Sequence, residues 1–233
     1  MKIILFFSLF LVTSCLKDDF DYFPLNNGKI WNYNVTINPG VEDKVIYKKT
    51  NFTLNKQNLK IIETNEEKQV YPIIREDNSI YYYSKNEDGI VREGMQHKNN
   101  YPILFEDEKK YVLKFPIEIG TNWESISKTF LILRRYAYFD YRATTNFNIK
   151  YEITSLNQTV SVPAGKFKDC IKITGTGETT FIGDREIGTI DISIKTDEWY
   201  APNVGLIKSV RLEKTNSDLF GTSKMTQVLD DYK

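Results

Sequence analysis

Along most of this chain apolar side chains alternate with polar ones, and Pro or Gly cuts the alternation at short intervals. Trp31, Tyr33, Val35 and Ile37 fall on one side of an extended strand, and Asn32, Asn34 and Thr36 on the other. Asn38-Pro39-Gly40 then stops it. A side-chain period of two cannot be read as a helix. The 15 Tyr and 14 Phe suit a pleated, half-buried surface. Further strand-like runs are predicted at 44–54, 58–63, 69–74, 79–84, 110–115, 122–139, 144–156, 159–163, 167–175, 177–183, 186–196 and 205–214. Residues 91–102 read as polar and irregular, and 128–139 as a strand or a short helix. The last residues, 218–233, add a final strand or stay loose. Regular strands with turns between them predict an all-β chain. Its form is an antiparallel meander in a curled sheet, a half-barrel or barrel, or a sandwich.

One frame occurs twice. Phe23-Pro24-Leu25-Asn26-Asn27-Gly28-Lys29-Ile30-Trp31 returns as Phe115-Pro116-Ile117-Glu118-Ile119-Gly120-Thr121-Asn122-Trp123. A looser echo is Tyr200-Ala201-Pro202-Asn203-Val204-Gly205-Leu206. Pro24 and Pro116 fix φ and end the preceding segment. Gly28 and Gly120 supply turn conformations, and Trp31 and Trp123 then anchor a strand to the core. The recurrence divides 23–233 into one domain or two similar halves, 23–114 and 115–233.

The first residues are a different kind of signal. Met1-Lys2 is a short basic start, and residues 3–12 form a ten-residue apolar run broken only by Ser8. A helix of that length rises about 15 Å, half of a bilayer core, which is the size of a secretory leader and too short for a span. Leu11-Val12-Thr13-Ser14-Cys15 resembles the bacterial lipobox. That resemblance implies removal of 1–14, lipid on Cys15, and a tether over 15–22. A diacyl or triacyl cysteine anchors stably to a membrane. By resemblance, Leu16 in place of Asp directs such a protein to the outer membrane. Lys17-Asp18-Asp19 looks like the acidic tag of surface-displayed lipoproteins of Bacteroidetes. Periplasmic face and cell surface stay open.

Three further segments carry a broader resemblance. Pro24-Leu25 with Gly28, Trp31 and Tyr33, then Val162-Pro163-Ala164-Gly165-Lys166-Phe167, then Tyr200-Ala201-Pro202-Asn203-Val204-Gly205-Leu206 are similar to motifs of a largely uncharacterised group of bacterial secreted proteins and lipoproteins. The resemblance implies a β-rich envelope domain and transfers no activity. Asn203 stands where the late motif commonly has Gly. Pro163 with Gly165, and Pro202 with Gly205, read as tight reversals between strands.

The chemistry of known site types is hard to build from this composition. Lys+Arg and Asp+Glu both number 31, so no strong field steers the chain onto nucleic acid. One His and two Cys exclude the common zinc sites, and no metal or cofactor is expected. With Cys15 lipidated, Cys170 stands alone and reads as a small buried hydrophobe. Strict alternation would place Phe167, Asp169, Ile171 and Ile173 on one face and Cys170 on the other. His97 lies in a polar stretch with no Gly-x-Ser-x-Gly to serve. Gly175-Thr176-Gly177 lacks the third glycine and the helix of a phosphate loop.

The expectation is therefore a non-catalytic, membrane-anchored envelope protein that binds or scaffolds, with a lipid, another apolar ligand or an envelope protein as partner. Tyr81, Tyr83, Tyr136 and Tyr138 are its candidate ligand-lining residues. The alternative is a carboxylate-dependent hydrolase of envelope glycan, drawing on Glu106-Asp107-Glu108 or Asp184-Arg185-Glu186.

Overall fold

The structure, a computed structural model, describes residues 20–61, 66–98 and 101–233. The leader and Cys15 lie outside the described residues. All regular structure among those described is strand. The elements are β1 Ile30–Asn38, β2 Val45–Thr53, β3 Gln57–Ile61, β4 Glu66–Arg75, β5 Ile80–Asn86, β6 Gly89–Gln96, β7 Leu104–Lys114 and β8 Asn122–Lys128. They continue as β9 Leu133–Arg135, β10 Asp140–Arg142, β11 Asn146–Val162, β12 Gly165–Ile182, β13 Thr189–Ala201, β14 Gly205–Thr215 and β15 Thr222–Tyr232.

Thirteen strands form one antiparallel sheet in the order β7-β6-β5-β4-β2-β1-β15-β14-β13-β12-β11-β8, with β3 added beside β4. Because β15 pairs with β1, strands from both halves of the chain sit in the same sheet. Its outermost strands on this path, β7 and β8, follow one another in sequence and lie side by side without a ladder. The sheet thus curls almost into a closed barrel. Trp123 spans the seam, its Nε1–H donating to the Tyr111 carbonyl at 3.2 Å.

Apolar side chains fill both ends of the interior. At one end Leu113, Trp123, Ile153, Ile171, Ile173 and Tyr200 pack with Tyr22 and Leu25. At the other, Ile132, Phe147, Ile149, Ile190, Ile192 and Phe220 form a second cluster. Gly175 and Gly177 lie in the middle of β12, where a Cβ would stand 2.7 Å from the ring of Tyr151 and of Phe147 respectively. Those glycines make room for rings and do not cradle a phosphate.

The three sequence motifs meet in space. Trp31 Nε1–H donates to the Val204 carbonyl at 2.6 Å in a buried bond. Asn203 N–H donates to Asp21 O at 2.7 Å, and Ala164 N–H to Leu229 O at 3.1 Å. Tyr22 O–H donates to Asp169 O at 2.9 Å. Pro24 and Trp31 are buried; Gly28, Pro116, Gly120, Pro163 and Gly165 are exposed at turns, and Pro202 is half-buried. Gly28, Gly120 and Gly205 have φ of 83°, 91° and 95°, the left-handed conformation that glycine takes without strain. Asn203 takes φ 59° in the turn before Gly205, which Asn tolerates better than most residues.

Several segments differ from the sequence reading. Residues 91–96, part of the 91–102 stretch expected to be irregular, belong to strand β6; Arg92 faces Lys110 across the ladder and is neutralised by Glu106. The 128–139 segment forms neither a long strand nor a helix. Its middle is held by buried Glu213, which accepts Phe130 N–H at 3.2 Å and Leu131 N–H at 3.0 Å, and a short β9–β10 hairpin follows. Cys170 and Ile171 are both fully buried, because Asp169 at φ 55° and the neighbouring register shifts break the alternation. Strands predicted separately at 144–156 and 159–163, and at 167–175 and 177–183, are each one continuous strand.

Replacing Trp31 with Phe leaves the buried Val204 carbonyl without its donor. Chemical denaturation is expected to show a loss of about 1–3 kcal/mol, while an unchanged midpoint would mean that this contact does not join the motifs.

Candidate functional site

Between the two apolar ends the inner face changes character. On β13 the inward positions run Ile190, Ile192, Ile194, Thr196, Glu198 and Tyr200. On β14 they include Ser209, Arg211 and Glu213, all buried. Across the interior, Tyr33 on β1 faces Lys49 on β2. Asn51 pairs with Arg75 of β4, and Ile73 and Tyr71 pair with Tyr81 and Tyr83 of β5. A belt of ionisable and phenolic groups therefore rings the middle of the barrel.

Its bonding is uneven. Arg211 is held fully: Nε–H donates to Glu213 at 2.8 Å and an Nη–H to Lys128 O at 2.9 Å. Arg92 pairs with Glu106. Glu198 accepts from Tyr200 O–H at 2.7 Å. Tyr33 O–H donates to Leu206 O at 3.0 Å, and Lys49 Nζ donates to Gln227 Oε1 at 3.3 Å. Arg75 lies over Tyr81, its guanidinium carbon 3.7 Å from the ring centroid. Among the described residues, the side-chain oxygens Asn51 Oδ1 and Ser125 Oγ are buried with no hydrogen-bond partner.

Glu198, Tyr151, Tyr83 and Lys49 each keep some accessible surface. Yet each titrates as a group taken out of water. Desolvation raises Glu198 above the usual carboxylate range, against the opposing pull of Tyr200, Arg211 and Lys49. It also raises Tyr151 and Tyr83. Lys49 is lowered to about 8, first by desolvation and then by the charge of Arg75. Inward-facing side chains that keep accessible surface border a partly open recess on the inner face of the sheet.

The predicted lining residues separate. Tyr83 packs on the inner core and on Phe23, ring centroids 5.3 Å apart, and Tyr81 lies against Arg75. Tyr136 and Tyr138 are 44% and 97% exposed on the β9–β10 hairpin, where Tyr136 stacks on Phe139 and not on the recess. Lys49, Arg75 and Glu198 are the inward groups that the sequence reading missed. Their signal was phase: Glu198 is in step with Ile190, Ile192 and Ile194, Arg75 with Ile73, and Lys49 with Val45. His97 and the Asp184-Arg185-Glu186 turn are exposed. Cys170 is free, and burial pushes its thiol up to about 11, far from a reactive thiolate. Among the described residues no group of three His, Cys, Asp or Glu is placed to hold a metal.

Two grooves open on the outer face of β12–β14, of about 620 and 460 Å³. Both include Glu178, Ser193 and Lys214, one cross-strand row, and no aromatic ring lines either. They are not the apolar pocket that a lipid carrier needs.

Residues 142–225, which span β10 into β15, match the family described as DUF3108-like. No curated protein matches the chain. Two crystal structures are similar at 14% identity. One is a candidate lipoprotein of Parabacteroides distasonis, with a TM-score of 0.40 over 93% of this chain and 100% of the other. The second is a candidate exported protein of Bacteroides fragilis with a YmcC-like fold, with a TM-score of 0.37 over 92% and 99%.

The recess favours neutral Glu198. Its contribution to stability is complete below the ordinary value of 4.5 and is lost as pH rises through the raised folded value. Glu198→Gln keeps the shape without the charge. It is expected to melt at or above wild type at pH 8, with the difference vanishing towards pH 4. A variant less stable than wild type at pH 8 would show that the ionised carboxylate supports the fold.

Proposed function

We propose that this chain is a lipid-anchored protein of the bacterial outer membrane whose barrel binds a small polar or amphiphilic ligand without transforming it. The observation that carries the reading is the belt of Lys49, Arg75, Glu198 and tyrosines set between two apolar layers. Buried ion pairs are often replaceable by packed apolar groups at no loss of stability. Ionisable groups kept in a recess with an unpartnered polar atom beside them point to a ligand.

The anchor reading rests on the leader and on Cys15. It gives the domain an orientation. Residues 20–22 dock where the three motifs converge, so the tether leaves the barrel from that end. The six residues from 15 to 20 reach about 20 Å when extended, which keeps that end near the bilayer. The β9–β10 hairpin, the 183–188 turn and the 216–221 turn then lie at the far end.

Two measurements test the reading. Cys15→Ser is expected to release the protein from the membrane fraction and to abolish the mass added by acylation. A variant that fractionates and weighs as wild type does, apart from the substitution, would overturn the anchor. Denaturation of wild-type protein purified from its own membrane should release a small molecule in near-stoichiometric amount, detected by mass spectrometry.

A further inference from the structure

We infer that the recess takes an anion: a carboxylate or phosphate group seated between Lys49 and Arg75, with its organic body extending along the inner face of the sheet. The inference rests on the reading of the recess as a ligand site.

It follows first from which charges are already matched. Arg92 is neutralised by Glu106, and Arg211 by Glu213. Among the described residues no ion pair joins Lys49 or Arg75 to a carboxylate. The acids nearest Lys49 are Glu76 and Asp77 in the β4–β5 turn and Glu198 on β13. Glu76 accepts from Thr50 N–H at 3.2 Å and Asp77 from the Ser79 hydroxyl at 2.6 Å, and both are exposed. Glu198 is held by Tyr200. Neither cation is closed into an ion pair, although Glu76 and Asp77 act on Lys49, and Asp77 on Arg75, through space.

Their placement suits one anion. Asn51 lies directly across from Arg75, and Lys49 is two residues before Asn51 on the same face. Lys49 and Arg75 are therefore diagonal neighbours, about 7–8 Å apart at the backbone. Both have long side chains that can converge on one group. The guanidinium fork matches two oxygens of a carboxylate or phosphate, and the ammonium supplies a point charge. Aromatic faces flank both: Tyr81 under Arg75, and Tyr33 with Lys49 Nζ 6.0 Å from its centroid. The buried side-chain amide of Asn51 sits between them with its oxygen unpartnered. An anion relieves the repulsion between the two cations.

The test uses the full-length lipidated protein in phosphatidylcholine nanodiscs, titrated calorimetrically with phenyl phosphate, inorganic phosphate and phenol. Phenyl phosphate is expected to bind at pH 7. Lys49→Met and Arg75→Met should each weaken it at least tenfold, with thermal melts confirming that both variants fold. Affinity should fall between pH 7 and 9 as Lys49 loses its proton, and Lys49→Arg should hold it at pH 9. Equal binding of inorganic phosphate assigns the site to the free anion; preference for phenyl phosphate assigns it to an anion on an organic body. If phenol binds as well as phenyl phosphate and neither substitution matters, the anion inference falls and the recess remains a ligand site. If none of the three binds, both fall.

Discussion

The inner face of a curled sheet has to be filled, and what fills it decides what the barrel can do. Here Ile, Leu, Phe and Trp fill the two ends, as the hydrophobic effect requires. The middle carries Lys49, Arg75, Arg92, Arg211 and Glu198 instead. Taking such groups out of water costs several kcal/mol each unless they are paired and hydrogen-bonded. Arg211 and Glu213 meet that condition, and through Phe130 and Leu131 they also pin the segment that covers one end. Lys49, Arg75 and Glu198 meet it only in part. The matched charges and the incompletely matched ones therefore lie in different parts of the inner face.

The opposite end is held by chain termini and motifs. Backbone bonds tie Asp21 to Asn203, Ala164 to Leu229, and Ile30 to Lys233. The Trp31 indole crosses to Val204. Residues 21 and 22 are thus fastened to the sheet before β1 begins. The repeated geometry of two positive-φ glycines, each three residues before a buried Trp, serves different partners: Val204 for Trp31 and Tyr111 for Trp123.

Strand class and most strand positions were legible because alternation and turn residues act locally. What was missed has a common cause. Strand β6 carries Arg92, Glu93 and Gln96, which look like loop polarity until β7 supplies Glu106 and β4 supplies Lys68 as partners. The inward charges of the recess look like a solvated face for the same reason. Only strand phase betrays them, since Glu198 continues the row Ile190, Ile192, Ile194. Tyr81 and Tyr83 share a strand phase and pair with Ile73 and Tyr71 of β4, whereas Tyr136 and Tyr138 lie in the turn between β9 and β10, where phase says nothing. Asp169 shows the limit of the rule, because one left-handed residue buries two successive side chains, Cys170 and Ile171.

The proposed ligand site depends on a Lys49 ammonium held out of water on the inner face beside Arg75. Its side-chain titration, followed by NMR on selectively labelled lysine in the intact protein and assigned with Lys49→Arg, tests that most directly. A midpoint near 8 is the predicted result. A midpoint near 10.5, the value of a free lysine, would place the ammonium in open water and contradict it.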